Sequence, residues 1–375
     1  MSREPGHPSL SSFLAARSSQ IDASGIRKVF DLAAALDDPI DLSIGRPYQD
    51  APEPVKESAV RAIRRGENAY TPTQGRADLV DSLMERMGRE ASIEGQSVLV
   101  TSGVSGGLFL AFAALVDPGD EVLMADPYFV IYHHVVRLFG GVPVPVDTYP
   151  DFRMTAERIE PCITDRSKLL IVSSPANPTG AVLDAEHLAE IADLAGRHGL
   201  LVLSDEIYRD FSYDGPAPSM AGLHEPTLLL AGFSKSHAVT GWRVGYAFGP
   251  AELIAEMGKL QQYSFVCAPA PFQTAMLENL DLDTTEMRDA YRRKRDLLYN
   301  GLSAKYDLTR PGGAFYAFPR VPWGTDTEFV EQAVRNNLLV IPGSIFSRRN
   351  THFRISYAAD DETLERGVAV LNDLA

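Results

Sequence analysis

A lysine with uncharged neighbours is the residue of this chain best suited to covalent chemistry. Lys235 lies in the segment Gly232–Tyr246, GFSKSHAVTGWRVGY, among small, aromatic and glycine residues. Partial removal of a lysine from water lowers the pKa of its amine and makes it a nucleophile toward aldehydes. Arg243 follows eight residues later and carries a permanent fork of donors suited to phosphate. An aldehyde-reactive amine near a phosphate-binding guanidinium predicts a site for pyridoxal 5′-phosphate.

The same segment resembles the cofactor-lysine motif of a known enzyme family. Its pattern, Ser-Lys-x5-Gly-x-Arg-x-Gly-Tyr, is similar to that of fold type I pyridoxal-phosphate-dependent aminotransferases of class I/II, the aspartate aminotransferase-like family. The resemblance covers the chain from about residue 26 to its C-terminus. It implies an α/β fold: a large domain with a mainly parallel sheet covered by helices, and a smaller α+β domain. For the short motif alone, the alternative is a surface lysine and arginine on a glycine-rich hairpin.

The elements that must position these residues are strands that alternate with helices. Strands are predicted at 40–44, 97–101, 121–124, 168–173, 200–204 and 227–231, mostly as short apolar runs typical of a buried parallel sheet. Helices are predicted at 26–36, at 103–115 and at 184–195, the last between an Asp184 cap and a stop at Gly196. Ligands of such sheets bind at the carboxyl ends of the strands. Polar residues recur there: Gly103 to Ser105, Asn177, Asp205 with Tyr208, and Lys235.

Three of these side chains suit the ring of the cofactor. Asp205 can pair with the pyridine nitrogen and keep it protonated, which makes the ring an electron sink. Asn177 and Tyr208 can donate hydrogen bonds to the phenolic oxygen of the ring. The Asn-Pro-x-Gly and Asp-Glu-x-Tyr motifs of the resembled family are intact at 177–180 and 205–208. Taken singly, the first motif can be a simple turn, and Asp205 a helix cap.

The resemblance also assigns residues to the phosphate and to the face of the ring. A glycine-rich strand-to-helix turn exposes backbone N–H groups suited to an anion, and the family places its phosphate loop there; this turn holds Gly103, Val104 and Ser105. Ser234 and Arg243 complete the implied clamp, although Gly232 departs from the serine that many members carry. Phe129 matches the aromatic residue that stacks on the ring, or is an ordinary core residue. Tyr132 matches a less constant aromatic position.

Substrate-binding residues are implied at two further places. Arg354 lies in an apolar strand predicted at 353–357, and a buried arginine needs an anionic partner. The family uses this arginine to clamp the α-carboxylate of the substrate, with a glycine matching Gly45 beside it; the alternative is a structural salt bridge. Arg46 departs from the family pattern and either recognises a distal acidic group or is solvated, with solvation favoured.

Tyr70 matches a family tyrosine that reaches the cofactor phosphate of the neighbouring subunit. It lies in a Tyr-x4-Gly segment. The resemblance therefore implies a homodimer with shared active sites. The alternative is an ordinary surface tyrosine.

Composition excludes several classes of function. The 375 residues carry a formal net charge of -15, and no basic run indicates nucleic-acid or membrane-surface binding. The basic residues at 288–295 alternate with acidic ones, which predicts a solvated helix face. The two cysteines lack metal-ligand spacing, so no metal site is predicted. No signal peptide or membrane-spanning stretch is recognised, and a cytoplasmic protein is expected.

The leading hypothesis is a ping-pong aminotransferase. Lys235 would hold the cofactor as a Schiff base and, once displaced by the substrate amine, would move the proton between the substrate α-carbon and the cofactor C4′. The amino group would pass from an L-amino acid to a 2-oxo acid. Expected domains are an N-terminal arm with part of the small domain at 1–46, a large cofactor-binding domain at 47–280, and a small domain at 281–375 with a long charged helix at 284–302, strands at 314–318 and 353–357 and a final helix from Asp361. The alternatives are a lyase or decarboxylase on the same fold, or a non-enzymatic regulator that binds the cofactor.

Overall fold

The computed structural model describes residues 13–21 and 36–375. The helix predicted at 26–36 lies outside the described residues except for its last position. The prediction at 40–44 is only partly confirmed, because the strand β1 is limited to Ile40–Asp41. None of the helices in the described part of the chain is long and apolar enough to cross a membrane.

A seven-stranded sheet forms the centre of the larger body. In chain order its strands are β2 (Gln96–Thr101), β3 (Glu121–Asp126), β4 (Val142–Asp147), β5 (Ser167–Ser173), β6 (Leu201–Asp205), β7 (Thr227–Gly232) and β8 (Gly245–Pro250). Their spatial order is β2-β8-β7-β6-β5-β3-β4. β8 is antiparallel to both of its neighbours, and the other pairs are parallel. The predicted mainly parallel sheet is thus confirmed.

Helices cover both faces of this sheet. Those preceding the C-terminal part are α1 (Glu53–Arg64), α2 (Ala77–Met87), α3 (Gly103–Leu115), α4 (Val130–Leu138), α5 (Ala156–Ile159), α6 (Ala185–His198), α7 (Ala251–Gln262) and α8 (Ala270–Glu278). Leu169 and Leu203 pack with α3, α4 and α7, whereas the next residue on β5, Leu170, packs with α6. Since successive strand residues face opposite layers, both faces need apolar side chains, which explains the continuous apolar runs in the sequence.

A second, smaller layer combines residues near position 40 with the C-terminal part of the chain. Its helices are α9 (Thr285–Leu302), α10 (Asp326–Arg335) and α11 (Asp361–Leu374). β9 (Tyr316–Ala317), β11 (Ile341–Pro342) and β12 (Phe353–Ser356) form an antiparallel sheet, and β1 pairs in parallel with β10 (Leu338–Leu339). Ile40 and Leu42 are buried in the same core as Leu364 and Leu371 of α11. Only two residues of the strand predicted at 314–318 are in β9.

The predicted end of α6 is wrong. The Asp184 cap is confirmed, because its Oδ1 accepts a hydrogen bond from the backbone N–H of His187 at 2.9 Å. The helix continues through Gly196 to His198 and ends at Gly199, whose φ is +64°. The residue after a helix end commonly adopts this left-handed conformation, and Gly199, not Gly196, supplies it.

The predicted solvated face of α9 is also wrong for two of its basic residues. Lys294 and Arg295 are buried. Lys294 Nζ forms an ion pair with Asp361 and lies 4.3 Å from the ring centre of Tyr48. Arg295 donates to the carbonyl oxygen of Pro311 at 2.8 Å. Burial of these cations is possible because each has an anionic or carbonyl partner, which a pattern of charges along one helix does not reveal.

Candidate active site

One pocket of about 260 Å³ brings together most of the residues predicted from the sequence. It lies at the carboxyl ends of β5, β6 and β7 and is also lined by residues of the smaller layer. Of the thirteen predicted residues, eleven line it: Gly45, Val104, Ser105, Phe129, Asn177, Asp205, Tyr208, Ser234, Lys235, Arg243 and Arg354. Gly103 adjoins it through Arg243, and Tyr70 is not part of its wall.

Lys235 follows β7 and is half-buried. Its Nζ donates a hydrogen bond to the carbonyl oxygen of Gly45 at 2.6 Å. The pKa of Lys235 is lowered to about 8, chiefly by burial and also by the positive charges of Arg354 and Arg243, while the charge of Asp205 opposes this shift. Its amine is therefore available in the neutral form at a pH near 8, as a nucleophile or a base requires.

Asp205 ends β6 and is fully enclosed. Its Oδ2 accepts a hydrogen bond from the Tyr132 hydroxyl at 2.6 Å, and its Oδ1 accepts one from the Ile207 backbone N–H at 3.2 Å. Burial raises the pKa of the carboxyl, and the Tyr132 hydrogen bond and the charge of Lys235 oppose that rise. Tyr132, for which the sequence predicts only a less constant aromatic position, is a direct hydrogen-bond partner of this carboxylate.

A tyrosine that the sequence did not single out completes this side of the pocket. The hydroxyl of Tyr316, on β9, lies 2.7 Å from the hydroxyl of Tyr208, and both rings are buried. A Cβ added to Gly45 would lie 2.6 Å from the Tyr316 hydroxyl, so only glycine fits beside it. Tyr316 lies in a short apolar strand with no recognisable motif. Its place in the pocket follows only from the packing of the smaller layer against the sheet.

Arg243 and the start of α3 are in close contact. Arg243 has a φ of +56°, donates to the Thr240 carbonyl oxygen at 2.9 Å and to that of Ser102 at 3.4 Å. A Cβ added to Gly103, whose φ is +67°, would lie 2.5 Å from Arg243 Nη2. Among the described residues Arg243 has no carboxylate partner within ion-pair distance. A guanidinium beside a helix N-terminus forms a cradle suited to phosphate.

Arg354 is a buried cation that faces the same pocket. The residue is 2% exposed on β12. It donates to Asn177 Oδ1 at 3.1 Å and to the Ser43 carbonyl oxygen at 2.7 Å, while its Nε has no partner in the described part of the chain. The rings of Tyr316 and Phe346 lie 4.7 Å from it. Burial lowers the pKa of the guanidinium. A buried guanidinium without a carboxylate has capacity left for an anionic ligand.

Two of the residues considered from the sequence lie away from the pocket wall. Tyr70 is 84% exposed, and Arg46 is exposed as well, in agreement with the favoured solvated interpretation. Phe129 does line the pocket, with its ring edge against Tyr132 at a centroid distance of 5.7 Å.

The fold and this pocket define a pyridoxal-phosphate-dependent enzyme of fold type I. The chain belongs to the family of class I and II aminotransferases, whose model matches residues 37–371. It is 40% identical to the aspartate/prephenate aminotransferase of Thermus thermophilus over 88% of this chain and 89% of that one. It is 36% identical to aromatic-amino-acid aminotransferase 2 of Thermococcus litoralis over 95% of this chain and 96% of that one.

Solved structures give the same family. The aspartate aminotransferase of Thermus thermophilus with maleate superimposes with a TM-score of 0.92 at 36% identity, over 96% of this chain and 99% of that one. Members of this family depend on pyridoxal phosphate, and the protein is a pyridoxal-phosphate-dependent aminotransferase. The pocket fits the group: it offers an amine with a lowered pKa, a buried carboxylate and, at a helix N-terminus, a guanidinium that has no carboxylate partner in the described part of the chain.

Proposed function

We propose that this pocket moves the amino group of an L-amino acid to a 2-oxo acid in two successive half-reactions, with Lys235 as its central residue. The observation that carries the proposal is the buried Arg354 guanidinium, which has no carboxylate partner among the described residues and lies in the same pocket as the Lys235 amine. A substrate that bears a carboxylate at Arg354 would place its α-carbon inside the pocket, within reach of a base.

Each binding residue has a distinct task in this proposal. The cofactor supplies an aldehyde carbon for the amino group and a ring that takes up electrons from the substrate α-carbon. Asp205, oriented by the Tyr132 hydroxyl, would pair with the ring nitrogen, and Asn177 and Tyr208 would bind the phenolic oxygen. Arg243 would bind the phosphate together with Gly103, Val104, Ser105 and Ser234. Phe129 packs on the ring.

The substrate is handled by the opposite side of the pocket. Arg354 and Asn177 bind its carboxylate, and Gly45 lies beside them. The Lys235 Nζ would remove the proton from the α-carbon of the amino acid and deliver it to the cofactor carbon that receives the amino group, because a neutral amine is available at its lowered pKa. With the 2-oxo acid it would move a proton in the opposite direction. A ping-pong cycle follows, since the same residues serve the amino acid and then the 2-oxo acid.

We infer that the part of the pocket supplied by one chain favours a donor whose side chain is uncharged. Among the described residues lining the pocket, Arg243 and Arg354 are the arginines and Lys235 the lysine, and each already has a task. Leu108, Phe129 and Ile207 add apolar surface. The relatives named above act on aspartate, prephenate or aromatic amino acids by their names. A screen of amino acids for loss of the absorbance of the lysine-bound cofactor tests this inference; a preference for aspartate over phenylalanine would contradict it.

We also propose a cytoplasmic homodimer in which Tyr70 reaches the phosphate of the neighbour's cofactor. Its support is the exposure of Tyr70 on its own chain, together with two free cysteines that suit a reducing compartment. We likewise propose that the domains meet at residues 46 and 280, as predicted from the sequence.

Amino-group transfer to 2-oxoglutarate, with pyruvate and ammonia measured in parallel, tests the reaction itself. Transfer without ammonia is expected. Ammonia release in step with substrate loss would favour a lyase, for which the relatives offer no support. Borohydride reduction followed by peptide mapping should place the cofactor on Lys235, and a label on another lysine would reject the assignment.

A further inference from the structure

Tyr70 lies near the start of a surface segment that has no regular secondary structure but is held in place by hydrogen bonds. The segment, residues 69–76, connects α1 and α2 and is called here the Tyr70 loop. The Tyr70 side chain itself has no hydrogen-bond partner among the described residues, and 84% of it is exposed. A side chain that acts on a neighbouring subunit from such a position depends on the backbone that carries it.

Two completely buried glutamines hold this backbone from below. Gln273, on α8, accepts a hydrogen bond from the Arg76 backbone N–H at 2.9 Å and donates to Thr71 Oγ1 at 3.1 Å. Gln261, on α7, donates to the Thr73 carbonyl oxygen at 2.7 Å. Both glutamines are 0% exposed. The loop is therefore fixed near its start, its middle and its end.

The same contacts join the loop to the central sheet. Gln261 also donates to the Val100 carbonyl oxygen on β2 at 3.0 Å, and the Val100 backbone N–H donates to the Gln74 carbonyl oxygen at 2.9 Å. Gly75 lies against this strand with a φ of +115°, and a Cβ there would come within 2.4 Å of Val100 Cγ2. The loop is thus attached to the edge strand, which precedes the phosphate-binding turn.

The contribution of these amides to stability depends on their partners in the loop and in the sheet. A buried amide loses its hydrogen bonds to water, and the net gain from those it makes in the protein is small. Gln261 Oε1 remains buried without a partner among the described residues, so the amide contributes through its Nε2, which donates to the loop and to β2. What an apolar side chain cannot supply is the set of directed hydrogen bonds to the loop.

We propose that Gln261 and Gln273 are positioning residues, which hold the Tyr70 loop so that Tyr70 reaches the cofactor phosphate of the neighbouring subunit. The inference rests on the shared site proposed above. It differs from a structural role in one respect: the glutamines of one chain serve the active site whose lysine belongs to the other chain.

Heterodimers with a single working lysine test this directly. Two differently tagged chains are co-expressed and purified through both tags, the first with Lys235→Ala and the second with its lysine intact. The lysine-bearing site then takes Tyr70 from the first chain. Gln273→Leu or Thr71→Val is placed in either chain, and the release rate of the lysine-bound cofactor is measured by absorbance, together with kcat/KM.

Relative to the heterodimer without these substitutions, we expect the cofactor to be released at least about five-fold faster when either substitution is in the first chain. Release should be less than about two-fold faster when the substitution is in the second chain. These factors correspond to the loss of one hydrogen bond that holds the loop. Thr71→Val removes one loop contact of Gln273 without changing a buried residue, so the test survives if Gln273→Leu fails to fold. Gln96→Leu is the matched control, because the Gln96 amide donates to Glu225 and not to the loop.

Tyr70→Phe in the same two placements separates this inference from the shared site. If Tyr70→Phe acts only from the lysine-bearing chain, the shared site is wrong. If Tyr70→Phe acts from the first chain while the Gln273 and Thr71 variants act equally from both chains, or from neither, the positioning role is rejected and the shared site stands.

Discussion

Arg354 and Arg243 illustrate how single residues of this protein are arranged for ligands. Both face the pocket, and neither has a carboxylate within ion-pair distance among the described residues. Elsewhere in the chain the buried Lys294 is paired with Asp361. A cation left unpaired in a pocket costs stability, and this cost is offset only when an anion binds.

Replacement of Arg354 by alanine should weaken amino-acid binding by about 3–5 kcal/mol, the scale of breaking a buried charge pair. The amount of bound cofactor should stay close to that of the wild type, because Arg354 does not contact the phosphate cradle in this arrangement. Titration of the cofactor absorbance with amino acid measures the affinity. An unchanged affinity together with a lower melting temperature would assign Arg354 to a structural role.

The pKa of Lys235 predicts a pH dependence in the protein free of cofactor. Its folded value of about 8 lies below the ordinary 10.5, so between these pH values the unfolded chain keeps a proton that the folded chain has lost. The contribution of Lys235 to the free energy of unfolding therefore increases as the pH rises through this window and is lost as it falls. Reductive methylation with formaldehyde, followed by mass spectrometry, should show half-maximal modification of Lys235 near pH 8.

The Arg354→Ala variant is the informative control for this titration. It removes a positive charge that depresses the pKa of Lys235, so the midpoint of modification should move to higher pH. A midpoint near the ordinary lysine value in the wild type, or no movement in the variant, would contradict the electrostatic account.

At this scale the sequence was informative wherever a residue belongs to a motif. Asn177, Asp205 and Lys235 could be placed because each follows a predicted strand in a recognisable order. Tyr316 could not, because its partner Tyr208 is over a hundred positions away and only the packing of two layers brings the hydroxyls to 2.7 Å. Tyr132 is an intermediate case. The sequence shows that an aromatic side chain is present at this position, but it does not show which group accepts the hydrogen bond of its hydroxyl.

Among the helices and strands, the N-terminus of α3 has the most specific requirement for a residue type. Gly103 opens this helix in a left-handed conformation and permits the contact with Arg243. Strand and helix limits were predicted within a few residues where apolar runs end at glycine, proline or an Asp cap. The error at Gly196 has a physical reason: a helix interior tolerates glycine, and only the tertiary context decided that Gly199 ends α6.

Gly103→Ala should weaken cofactor binding about ten-fold or more, because the added Cβ displaces the Arg243 guanidinium from the helix start. Gly119→Ala is a matched control: its φ of +94° is also left-handed, but a Cβ there meets no atom within 4 Å. Both variants should lose about 1–2 kcal/mol of stability from backbone strain. Titration of the apo proteins with pyridoxal phosphate measures the affinity, and equal affinities in the two variants would exclude the steric explanation.

For the whole molecule, the exposure of Tyr70 raises the question of which active site it serves. If it serves the neighbour's cofactor, Lys235→Ala and Tyr70→Ala damage different chains of one site. A mixed dimer then has one site with both lesions and one with neither. Co-refolding of the two impaired variants should restore activity up to about a quarter of the wild type, if subunits pair at random with two-fold symmetry. Each variant refolded alone should stay below that level. Mixed dimers confirmed by two tags but no more active than the sum of the parent variants would mean that Tyr70 acts within its own chain or not at all.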